Sequence, residues 1–142
     1  MGCDRIVSGN RGFNKVDREA MGSMPQMSVP AFVEKKKRGE KIAMLTAYDY
    51  TVANLLEAAG VDGLLVGDSL GMVVQGRETT LPVTLDQMIY HAEMVSRGAP
   101  SSLVVVDLPF PAQFVGTEKL IANASRVLKE STAQAEIGRA HV

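Results

Sequence analysis

Apolar positions along the chain fall into two kinds of pattern, short unbroken runs and helically spaced stripes. Ile42-Ala43-Met44-Leu45-Thr46-Ala47, Gly63-Leu64-Leu65-Val66 and Leu103-Val104-Val105-Val106 are the runs. Bounded by glycine or polar residues, they fit strands buried on both faces, as in a parallel sheet covered by helices. The stripes are Val52, Leu55, Leu56 and Ala59, then Leu85, Met88, Ile89, Ala92 and Val95, then Leu120, Ile121, Ala124, Val127 and Leu128. Each has the spacing of one helical face. Punctuation agrees: Gly60 suits the end of the first helix, Thr84-Leu85-Asp86-Gln87 has the form of a capping box, Gly98 and Pro100 stop the second, and Thr117 is placed to cap the third. A further short helix is predicted to start near Pro30 and to end in Lys35-Lys36-Lys37-Arg38, where cations favour the carboxyl-terminal dipole. Three strand-then-helix units in succession imply right-handed crossovers, a parallel sheet and the α/β class.

Two of the strands end in aspartate. The second runs into Gly67-Asp68-Ser69-Leu70-Gly71 and the third into Asp107. Ligand crevices in α/β architectures lie at the carboxyl ends of the strands, so neighbouring strands would bring Asp68 and Asp107 into one site. Carboxylates on adjacent strands, about 5 Å apart, repel unless a positive charge lies between them. A magnesium ion with oxygen ligands at about 2.1 Å suits that place. Aspartate after a strand is also a common N-cap or turn former, and Ser69 can serve as a turn hydroxyl. The glycine-bearing connection from Leu70 to Pro82 has the character of a lid over such a site.

Composition narrows the field of partners. A net charge of −1 gives no electrostatic footprint for nucleic acid, and the basic run at 35–38 reads as a solvated helix end. No stretch approaches the roughly twenty apolar residues of a membrane span, so no membrane partner is expected and the cytoplasm is the default location. Residues 1–28 mix glycine, charge and polar groups without periodicity and read as a disordered amino-terminal extension, with Met21, Met24 and Met27 as alternative starts. Cys3, the one cysteine, reads as a spectator thiol. Asn123-Ala124-Ser125 matches a glycosylation acceptor but falls within a predicted helix, as a coincidence.

Five ordered segments carry a family likeness: Thr46-Ala47-Tyr48-Asp49-Tyr50, Leu65-Val66-Gly67-Asp68-Ser69-Leu70-Gly71-Met72, Thr80-Leu81-Pro82-Val83-Thr84, Arg97-Gly98-Ala99-Pro100 and Asp107-Leu108-Pro109-Phe110. From about Val29 to Ala135 the chain resembles ketopantoate hydroxymethyltransferases. The resemblance implies a magnesium-dependent (β/α)8 TIM barrel, of which residues 29–135 hold the first three βα units. It implies transfer of a hydroxymethyl group from 5,10-methylenetetrahydrofolate to α-ketoisovalerate, giving ketopantoate for pantothenate biosynthesis through a magnesium-stabilised enolate. Asp68 and Asp107 are then magnesium ligands, and Asp68, Ser69 and Asp107 bind the keto acid. The expected assembly is a homo-oligomer, a decamer by the same likeness.

The carboxyl end departs from that pattern. A family strand with a Val-Lys-Leu-Glu-Gly-Gly-like segment is expected after Ala135, carrying a substrate-contacting lysine and a metal-environment glutamate, with the general-base glutamate further on. The chain instead reads Glu136-Ile137-Gly138-Arg139-Ala140-His141-Val142. Its last six residues are the translation of a widely used sequencing adapter, so 136–142 are expected to be a non-native read-through tail outside the fold. At 142 residues the chain is also short of the roughly 250 of a closed barrel, and a chain of this length is expected to lack its base and to be inactive.

Two other activities use the same residues. Gly67-Asp68-Ser69-Leu70-Gly71 satisfies the G-x-S-x-G elbow of serine hydrolases, with Ser69 as nucleophile. That motif needs a helix at once after the serine, where Met72-Val73-Val74-Gln75-Gly76 offers no amphipathic pattern, and a histidine after the acid, where only His141 of the suspect tail stands. His91 precedes Asp107 and reads as a helix-surface or interface residue. Enzymes of the phosphoenolpyruvate mutase and isocitrate lyase group share barrel, metal and enolate chemistry, so fold and metal alone do not choose the reaction.

Overall fold

The computed structural model describes residues 26–112 and 114–138. Four strands, β1 (Met44–Thr46), β2 (Gly63–Val66), β3 (Leu103–Asp107) and β4 (Ala135–Ile137), form one sheet in sequential order with every pairing parallel. The helix α1 (Val29–Lys37) precedes them, and between them run α2 (Tyr50–Ala58), the single turn α3 (Leu70–Val73), α4 (Leu85–Gly98) and α5 (Thr117–Ser131). Sequential order with parallel pairing is what right-handed βα units produce when each helix packs back onto the sheet.

Burial follows the residue types. The Leu/Val runs of β2 and β3 are central, and all five residues of β3 are buried. On the helix-covered face Leu64, Val66, Val104 and Val106 meet Ala53, Met88, Ala92, Val95 and Val127. The first run is a shorter strand than expected, and Met44–Thr46 are all exposed because β1 is an edge with a partner on one side only among the described residues. The capping box of α4 is present in full: Thr84 Oγ1 accepts from Gln87 N–H and Gln87 Oε1 from Thr84 N–H. Its stripe Met88, Ile89, Ala92 and Val95 is buried as expected.

Four expectations are corrected. The sheet has a fourth strand where three were expected, and β4 includes Glu136 and Ile137, which pair with Val106 and Asp107. Helix α2 buries Ala53 and packs Leu56, whereas Val52 and Leu55 are exposed. The cause is close approach to α4: a Cβ on Gly98 would lie 2.6 Å from Tyr50 O and 2.9 Å from Ala53 Cβ, so the two smallest residues set the contact and rotate the apolar stripe away. Helix α5 is likewise buried along Val127 and Ser131, with Leu120 packed against the core, while Ile121 and Leu128 face outward. Thr117 is its first residue rather than its cap; Gly116, at φ +89°, holds the N-cap place with no side chain to offer.

The ends of the chain lie largely outside the described residues, including Cys3, Met21, Met24 and His141. Of the expected extension, 26–28 are described: Met27 N–H donates to Ser101 O, and Ser28 caps α1 through Ala31 N–H. The basic run ends α1 as expected, but Lys35 turns inward to pair with Asp62, which also accepts from Ala43 N–H. Burial pushes the Asp62 carboxyl up, and Lys35 with the Ala43 amide outweighs it to hold the group below its ordinary value. No helix among the described residues is long and apolar enough to cross a membrane.

Candidate active site at the carboxyl ends of the strands

The register brings the predicted residues to one edge of the sheet. Thr46 pairs with Leu65 and Leu65 with Val105, then Val66 with Val106. One step further on, Gly67 follows β2 and Asp107 closes β3, so Asp68 and Asp107 leave neighbouring strands at the same end. Asp107 is buried at 9 % exposure; Asp68 and Ser69 are half-buried. Aspartate is seldom this buried, which makes this edge a candidate for function.

The turn after β2 is tightly built. Gly71 N–H donates to Asp68 O and Met72 N–H to Ser69 O, which winds α3 directly from the Asp-Ser pair. A Cβ on Gly71 would meet Val83 Cγ2 at 2.7 Å, so glycine admits the returning 79–83 segment against α3. The connection from Leu70 to Pro82 is thus a helical turn plus an anchored loop, with Met72, Val73, Val74 and Leu81 on its exposed surface. Beside it, the segments 81–85 and 109–112 with Val115 line an open apolar groove of about 320 Å³.

One residue that the sequence reading left out reaches the site. Tyr48 leaves β1 two residues past its end, and its phenol oxygen lies 2.7 Å from Ser69 Oγ. His91 of α4 is half-buried at the interface with the β1 end, and its Nδ1 lies 2.6 Å from Tyr48 O. A carbonyl only accepts, so Nδ1 carries the proton. The available signal was positional: in a parallel sheet β1 delivers its carboxyl-end residues to the crevice that β2 and β3 serve.

The described residues contain no cluster of three or more His, Cys, Asp or Glu side chains. Two carboxylates nevertheless fit magnesium, which is commonly held by one or two carboxylates and completed by water and substrate oxygens. A serine-hydrolase site fits less well. The helix expected to be missing after Ser69 is present as one turn, but the group at the serine hydroxyl is a phenol, and the imidazole of His91 is engaged at Tyr48 O.

Comparison with known proteins finds relatives along most of the chain. The family model described as ketopantoate hydroxymethyltransferase matches residues 26–137. A relative from Magnetococcus marinus named 3-methyl-2-oxobutanoate hydroxymethyltransferase is 57 % identical over 110 residues, covering 78 % of this chain and 41 % of its own length. One of the same name from Rhodopirellula baltica is 59 % identical over 100 residues, 70 % of this chain and 37 % of its own. The chain therefore spans about two fifths of the length of these curated relatives. Among solved structures, 2,3-dimethylmalate lyase, a PEP mutase/isocitrate lyase superfamily member, superposes with a TM-score of 0.57 at 22 % identity, over 75 % of this chain and 37 % of the other. Phosphoenolpyruvate phosphomutase from Streptomyces platensis subsp. rosaceus gives 0.57 at 18 % identity, over 68 % and 32 %. These structural likenesses establish an α/β barrel-type fold, and the sequence matches carry the assignment further: this chain belongs to the ketopantoate hydroxymethyltransferase family.

Proposed function

We propose that this chain supplies the first part of the active site of a 3-methyl-2-oxobutanoate hydroxymethyltransferase, which transfers a one-carbon unit from 5,10-methylenetetrahydrofolate to the keto acid to form ketopantoate. The observation that carries the reading is the delivery of Asp68, Ser69 and Asp107 to one end of neighbouring parallel strands. The relatives' shared name supports the keto acid as substrate. Asp68 and Asp107 would hold magnesium, whose positive charge favours the enolate when bound. Ser69 would present a hydroxyl to the keto acid's oxygens. In the overall reaction the C3–H bond breaks and its proton passes to a base outside the described residues; water takes the one-carbon unit from both folate nitrogens as formaldehyde, which leaves tetrahydrofolate, and C3 bonds to the formaldehyde carbon, whose oxygen takes up a proton to become the hydroxyl.

The test is exchange of the C3 proton of α-ketoisovalerate into deuterated water, followed by proton NMR with a protein of the relatives' full length. Exchange that requires magnesium is expected. No exchange by folded, magnesium-loaded protein would overturn the reading.

A further inference from the structure

The bond between Tyr48 and Ser69 joins two strand ends through side chains alone, and neither strand pairing nor core packing requires it. Its direction matters chemically. A serine that donates its proton to an anionic substrate oxygen must have its own lone pairs facing some other donor. If the serine donated to the phenol instead, its lone pairs would meet the substrate's negative charge. The phenol at 2.7 Å supplies the donor that selects the productive arrangement, phenol to serine to substrate. Successive bonds of this kind polarise one another and strengthen the last.

Tyr48 is also well held. The preceding residue, Ala47, is 1 % exposed and its N–H donates to Leu65 O at 3.1 Å, extending the β1–β2 ladder to the tyrosine. From the other side His91 donates to Tyr48 O at 2.6 Å, tying the residue to α4. Backbone anchors on two elements leave the phenol little freedom, which is what a fixed hydroxyl direction needs.

We propose that Tyr48 is a positioning residue that orients the Ser69 hydroxyl toward the keto acid, with His91 holding Tyr48 in place; this rests on the functional reading given above. The residue acts through Ser69.

Tyr48→Phe removes one oxygen and keeps the ring. Calorimetric titration of α-ketoisovalerate into magnesium-loaded protein should show its Kd raised about three- to tenfold, the range of one hydrogen bond. The magnesium Kd should stay at the wild-type value, which a general loosening of the site would not allow. Ser69→Ala should weaken the keto acid similarly, and the double variant should be no weaker than Ser69→Ala alone. An unchanged keto-acid Kd in Tyr48→Phe, or losses that multiply in the double variant, would overturn the proposal. If Tyr48→Phe does not fold, a fluorinated tyrosine incorporated at position 48 replaces it: the stronger donor should lower the Kd, and an unchanged Kd overturns the role. Wild-type protein that is folded and binds magnesium but not the keto acid overturns the functional reading and this role together, whereas wild-type binding matched by Tyr48→Phe overturns the role of Tyr48 alone.

Discussion

Replacing Glu136 tests how the sheet tolerates its fourth strand. Glu136 pairs with Val106, a residue at 0 % exposure on the helix-covered face. Its Oε2 is buried without a hydrogen-bond partner, and burial alone pushes the carboxyl above its ordinary value of 4.5. A buried acceptor left unsatisfied costs about 1–3 kcal/mol, and because this side chain is only half-buried the lower part of that range applies, about 1–2 kcal/mol. Glu136→Val removes the charge and adds a β-branched side chain suited to a strand, so it should stabilise the protein by about that amount. For a chain of this size the gain corresponds to roughly 3–8 °C in Tm. Glu136→Gln, which keeps the shape, should recover only the part due to charge. The sign with pH follows from the raised pKa: the penalty is complete above the folded pKa and disappears below 4.5, where the group is protonated folded or unfolded. Thermal denaturation at pH 7 and at pH 4 would measure this, with the advantage of Gln over Glu shrinking at the lower pH. Variants no more stable than wild type at pH 7, or a Gln advantage that does not change with pH, would refute the reasoning.

Gly98→Val forces side-chain atoms against the Tyr50 carbonyl and Ala53, where even a Cβ would stand 2.6 Å and 2.9 Å away. The overpacking should cost about 1–3 kcal/mol in urea denaturation, and an unchanged midpoint would show that α2 and α4 are not fixed by this contact. On the proposed reading, Asp107→Ala should weaken magnesium and the keto acid together, because it would remove an anionic oxygen assigned to both. Calorimetry that finds the wild-type magnesium affinity in this variant would remove Asp107 from the metal site.

The sequence by itself determined the alternation of strand and helix, the α4 stripe with its capping box, and the arrival of Asp68, Ser69 and Asp107 at strand ends. These features are local: each depends on residue spacing of two or 3.6 and on caps a few positions away, which the chain carries in order. The tertiary structure decided what depends on partners distant in sequence. Which face of α2 turns inward was set by Ala53 meeting Gly98, not by the number of apolar residues on the stripe. The bond from Tyr48 to Ser69 spans 21 positions and that from His91 to Tyr48 spans 43, so neither leaves a periodic trace. The fourth strand was hidden for the same reason. The run Ala135–Ile137 is too short and too polar to announce a strand alone, and it becomes one because β3 presents an edge whose amides and carbonyls need partners.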